Sequence, residues 1–151
     1  MALLRWRNKK DGLTRALVGV TASPHALLAI DIAQALEKQL KTKSRYLHVI
    51  KRGTAMDGAT ERAFLEKERE GKPRLDLEIV QARSTAQGII EASGEADLLI
   101  LGAAREGILS QLVLGEKTRA IARRVRCPVL LAKRRPGRGL SLLRRLFARQ
   151  T

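Results

Sequence analysis

Gly102, Arg105, Gly115 and Glu116 are the residues whose types and spacing bear most directly on chemistry. An apolar run at residues 98–101 stops at Gly102, and after a loop Gly115 precedes a segment with helical periodicity. Strand, glycine loop and helix in that order make a phosphate-site architecture, because the first backbone N–H groups and the dipole of the helix favour an anion. Such a site holds a ligand and makes no bonds. Arg105 could clamp a phosphate with both arms of its guanidinium, or fill the crevice and pair with Glu116. Glu116 can only accept hydrogen bonds. Its own charge is favourable at a helix start by about 0.3–1 kcal/mol, whereas a second anion about 4 Å away is opposed by up to roughly 4 kcal/mol at an effective dielectric near 20.

Other reactive residue types lack a constellation. His25 and His48 are far apart and belong to no triad or metal motif, and Asp31 and Asp57 have no spacing partner for a carboxylate pair or a metal cage. Cys127, the single cysteine, stands before Pro128 and an apolar run and reads as a small buried thiol. No catalytic residue and no metal site is expected, and the chain is not expected to be an enzyme.

The elements that would position the glycine frame alternate along the chain. Residues 13–20 read as a buried strand, with Ser23 and Pro24 opening a helix that runs to Leu40 on apolar positions such as Leu28, Ile32 and Leu36. Residues 46–50 form a second strand. Residues 57–70 follow as a highly charged helix whose apolar face is little more than Ala63, Phe64 and Leu65, so it is expected to be the loosest element. Residues 75–80 alternate apolar and polar, the mark of a strand with one wet face, while the other strands are apolar throughout. A short helix at 84–92, the strand at 98–101, the helix after Gly115 and a last strand complete the series. Five strands alternating with four helices predict an α/β fold with one doubly wound parallel sheet. The half-wet third strand at an edge gives the order 3-2-1-4-5, with a ligand crevice between Thr21 and Gly102 where strands one and four part.

On these residues the chain resembles the universal stress protein family, whose nucleotide-binding members carry a glycine, two residues, a second glycine, nine residues, a third glycine and a Ser or Thr. The spacing is kept here, with Arg105 in place of the second glycine and Glu116 in place of the hydroxyl residue. Residues 17–25, Leu-Val-Gly-Val-Thr-Ala-Ser-Pro-His, look like the family's first strand and helix start, with Thr21 where the family has an Asp that contacts the nucleotide. Leu47, His48, Val49 and Ile50 look like its second strand, and the stretch after Cys127 like its last. The resemblance spans residues 13–133. It implies an adenine-nucleotide alpha-hydrolase-like fold, and a nucleotide site at Thr21, Val49, Gly102, Arg105, Gly115 and Glu116. It also implies pairing of two copies through the last strand, from Pro128 to Lys133. With two features of the frame replaced, ATP is not expected to bind in the usual mode, and no cofactor is assigned. AMP and other nucleotides stay open.

Charge is concentrated at the ends. The chain of 151 residues carries a net +15, and eleven of those charges lie in residues 1–10 and 133–151, leaving +4 on the body between them. We therefore divide it into a basic N-terminal tail (1–12), one domain (13–133), and a basic linker with an amphipathic helix (134–151). No apolar run approaches the roughly 18 residues of a membrane span, and one cysteine gives no internal disulfide, so a cytoplasmic protein is expected. The basic helix could lie on an anionic membrane surface, dock on a partner or fold back on the domain. Three functions remain: a dimeric, non-enzymatic stress-response module; a cytosolic regulatory domain of a membrane transporter, of the amino-acid permease or ion transporter type, sensing another nucleotide; and a nucleic-acid binder. The last is the weakest, since Trp6, Tyr46, Phe64 and Phe147 give no stacking platform beside the basic groups.

Overall fold

The computed structural model describes residues 2–5, 12–103 and 116–134. Its strands are β1 (Ala2–Arg5), β2 (Arg15–Gly19), β3 (Lys43–Lys51), β4 (Leu77–Ala82), β5 (Leu98–Gly102) and β6 (Val129–Ala132), and its α-helices α1 (Pro24–Leu40), α2 (Ala59–Glu68), α3 (Thr85–Ala92) and α4 (Glu116–Arg124). The sheet order is β1-β6-β5-β2-β3-β4. From β4 to β6 every pair is parallel. These five strands keep the expected order 3-2-1-4-5.

Burial on both faces explains why the central strands read as unbroken apolar runs. On one face Val18, Ile100 and Ala132 pack with Ala29, Ile30 and Ala33 of α1 and Leu65 of α2. On the other, Leu17, Leu47, Leu99 and Val129 pack with Ile89 of α3, Ile121 of α4, and Val125 and Cys127 beyond it. Cys127 is 7% exposed. Each fully buried large aliphatic side chain such as Leu99 contributes about 1.5–3 kcal/mol relative to exposure. The start of α1 follows its sequence signals: Ser23 Oγ accepts the Ala26 N–H at 3.2 Å and Pro24 takes the first helical position. At the opposite end of the sheet, buried Asp97 Oδ2 accepts from Thr14 Oγ1 at 2.7 Å and from the Arg15 N–H at 2.9 Å, stitching β2 to β5.

Strand β4 is an edge, as its alternation predicts. Its Glu78 receives two bonds from the Arg45 guanidinium, at 3.0 and 2.7 Å, and that pairing holds the Glu78 carboxyl below the usual range. The charged helix α2 differs from expectation in what it buries. Ala63 is exposed, whereas Leu65 and the carboxylate-bearing Glu61 are buried. Glu61 Oε1 stands 3.4 Å from His48 Nε2, and His48 Nδ1 donates to the Val20 carbonyl at 2.8 Å. A polar contact thus anchors α2 where apolar area is short. Gly58 opens the helix at φ +78°, where a Cβ would also collide with the Ile79 side chain.

The N-terminal residues bear on two expectations. Within the basic N-terminal stretch 1–12, Ala2–Arg5 is a strand that pairs antiparallel with β6 from Ala2↔Ala132 to Arg5↔Val129. The edge between Pro128 and Lys133, expected to face a second copy, is therefore covered from within the chain. The physical reason is the cost of an open edge: backbone N–H and C=O groups of β6 without a neighbouring strand invite any nearby extended segment.

Candidate functional site

The crevice is built at the carboxyl ends of β2 and β5, which are neighbours in register Gly19↔Leu101. Beyond β2 the chain continues through Val20, whose N–H donates to the Leu47 carbonyl at 2.8 Å, into an exposed Thr21. Thr21 Oγ1 lies 3.1 Å from Ser23 Oγ, and its carbonyl accepts the Ser23 N–H at 2.8 Å. The side chain at this position thus supports the helix cap and brings no carboxylate to the mouth.

Gly102 closes the other wall. A Cβ there would stand 2.7 Å from Ala26 N and 2.8 Å from His25 C, so the end of β5 runs against the backbone of the first turn of α1. Only glycine permits that approach. Thr21 and Gly102 are brought to one end of the sheet on either side of the α1 start, as expected. Val49 belongs to the same strand end by register, since Leu47 pairs with Gly19. Its side chain points elsewhere: it is 7% exposed and packs on Gly88 of α3, where an added Cβ would lie 2.6 Å from Val49 Cγ1. Glu116 is the first residue of α4. Arg105 and Gly115 lie outside the described residues.

Sequence reading missed one participant at this end. The backbone N–H of Arg134 donates to His25 Nδ1 at 2.9 Å, across 109 positions of chain. The contact holds Arg134, beyond the end of β6, over the first turn of α1, next to Gly102. No spacing rule joins the two residues, and only the paired strand order makes them neighbours. Among the described residues no cluster of His, Cys, Asp or Glu is placed to hold a metal ion, and no helix is long and apolar enough to cross a membrane.

A family profile described as the universal stress protein family matches residues 12–133. The chain belongs to the universal stress protein family. Solved structures of other family members share the fold. A universal stress protein from Archaeoglobus fulgidus DSM 4304 is 20% identical with a TM-score of 0.67, over 91% of this chain and 51% of that one. This chain thus spans about half the length of the Archaeoglobus protein. The universal stress protein UspA from Lactobacillus plantarum is 18% identical with a TM-score of 0.60, over 82% of this chain and 99% of that one. A universal stress protein solved in complex with cAMP is 22% identical with a TM-score of 0.59, over 82% and 98%. At such identities the likeness establishes the fold. A sequence search of curated proteins found no match.

Proposed function

We propose that this family member is a non-enzymatic regulatory module of the cytoplasm that does not take ATP in the usual mode. The observation that carries the reading is Glu116 at the first residue of α4. A carboxylate there supplies the negative charge that the helix end would otherwise draw from a phosphate, and a phosphate beside it is repelled. Thr21 adds to this: its hydroxyl is engaged with Ser23, and it brings no carboxylate to the place of the family's nucleotide-contacting Asp. Arg105 stands in the sequence where the family's second glycine would be, which removes a further feature of the usual ATP frame. The module acts by contacts with other proteins, as a homodimer whose pairing surface is the β6 edge once β1 has been displaced.

A second reading has its own support. Arg134 is held beside Gly102 by His25, at the crevice end of the sheet. A regulatory domain working beside a membrane transporter would use that placement to couple a nucleotide other than ATP to an anionic membrane surface. The cAMP bound by a related protein belongs to that protein, and it makes a cyclic nucleotide the natural probe here.

Thermal unfolding of the full chain, stripped of bound nucleotide, separates the two. ATP, AMP and cAMP are each added at saturating concentration. No shift with ATP is expected, and the double variant R105G/E116S is expected to gain one of several degrees, since a ligand at a hundred times its Kd stabilises by about 2.7 kcal/mol. A rise with ATP in the unmodified protein overturns the first reading, and a rise with cAMP alone supports the nucleotide part of the second.

A further inference from the structure

We infer that a second site, remote from the crevice, binds a small organic anion through Arg69. A cavity of about 720 Å³ opens between the second half of α2 and the loop that leads into β4, and Arg69 lines it. That volume falls within the roughly 300–1,000 Å³ usual for small-molecule sites. Its floor is apolar, formed by the buried Leu65 and Leu77, and exposed charged side chains of both signs, Arg74 and Glu66 among them, ring it. The crevice at Thr21 and Gly102 shares none of these residues.

Arg69 is what makes the cavity a site. The residue is only 6% exposed, and its Nε is buried without a hydrogen-bond partner. Its other two nitrogens reach the Gln34 Oε1 and the Pro73 carbonyl, both at 3.5 Å, the outer limit of a hydrogen bond. Among the described residues no carboxylate lies within 4.0 Å of the guanidinium; the acidic side chains that do form ion pairs meet Arg15, Arg45, His48 and Lys72. A buried cation with long contacts to two neutral oxygens is under-compensated.

Placement at the end of α2 does not remove the deficit. The favourable effect of the dipole on a cation at a helix C-terminus is small beside the cost of taking a guanidinium out of water. The missing element is a planar, forked acceptor, which a carboxylate or a phosphate supplies with two parallel bonds. The apolar floor of Leu65 and Leu77 fits a ligand that carries a short hydrocarbon body behind its anionic head. The acidic rim residues Glu66, Glu70 and Asp76 line the same cavity, and they disfavour ligands with several negative charges.

The test is a titration of the full chain, followed by amide NMR at the cavity residues Gly71 and Leu75, with benzoate, with inorganic phosphate, and with chloride at matched ionic strength. Saturable shifts at these amides with benzoate or phosphate, and an apparent Kd at least about tenfold weaker in Arg69→Met, are the expected result. Saturation by benzoate alone assigns a carboxylate ligand, and by phosphate alone a phosphate-bearing one. Shifts that chloride reproduces, shifts confined to the Thr21 and Gly102 end, or unchanged affinity in Arg69→Met overturn the site. Removing an under-compensated buried charge does not endanger the fold, and the titration of the unmodified chain decides the question even where the variant is poorly behaved. Since the crevice shares no residue with this cavity, failure here leaves the ATP reading intact, and the reverse also holds.

Discussion

Two residues show how much single positions carry. At Gly102 the obstacle to a side chain is backbone on α1, which cannot rotate aside, so Gly102→Ala must push β5 and α1 apart. We expect a loss of about 1–3 kcal/mol in urea unfolding, whereas Gly94→Ala, with nothing within 4 Å of its added Cβ, should stay within about 0.5 kcal/mol. Equal effects would mean that the contact at Gly102 relaxes freely. Tyr46, the only tyrosine, donates from its hydroxyl to Glu37 Oε1 at 2.8 Å, and burial together with that carboxylate raises its pKa. A phenol whose folded pKa is raised keeps its proton longer in the native state. The associated stability is therefore complete below the unfolded value of about 10 and is lost as pH climbs above it. Absorbance titration should place phenolate formation above pH 10 in the native protein and near 10 in urea, and coincident curves would contradict the buried hydrogen bond. Gly102 was legible at this scale because it ends an apolar run, and the structure sets it against the backbone of α1. Arg69 was not: among the charged residues from Arg62 to Arg74, nothing in the sequence marks the one whose guanidinium turns inward.

At the scale of elements, α2 is the informative case. Its composition suggests a loose helix, since only Leu65 and the half-buried Phe64 offer apolar area. The missing hold comes from Glu61 on His48, a contact between helix and strand that periodicity cannot reveal because neither residue belongs to an apolar stripe. Glu61→Ala should cost about 1–3 kcal/mol by leaving His48 Nε2 buried and unmatched, and hydrogen exchange should show the amides of α2 opening at a lower free energy than those of α1. Uniform loss across both helices would place the effect in global unfolding. The strands and the other helices were readable because each pairs a period, two or near 3.6, with a clear stop signal such as Ser23, Ser84 or Gly102. The strand at Ala2–Arg5 was not, for four residues are too few to establish alternation.

For the molecule as a whole, the consequential feature is the in-chain covering of β6. A tethered strand competes with a free one at an effective concentration in the millimolar range. A second copy at micromolar concentration must therefore pair more strongly by about 4 kcal/mol before it displaces β1. Deletion of residues 1–12 removes the tether, and sedimentation should then give a larger mass at the same protein concentration than the full chain gives. An unchanged mass would exclude the edge between Pro128 and Lys133 as the pairing surface. Charge is divided along the chain in the same sense: most of the +15 lies in the tails and only +4 on the body between them.

The burial of the lone thiol offers a use that has nothing to do with its own reactivity. Cys127 sits among Ile121, Val125 and Val129 at the corner where α4 turns into β6, so an aromatic disulfide reagent reaches it only when that corner opens. The rate of colour release in ordinary buffer is then a clock for breathing of the helix that begins at Glu116, readable without labels. Any compound that truly engages the start of that helix must slow the clock, and one that binds elsewhere leaves it running at its former pace.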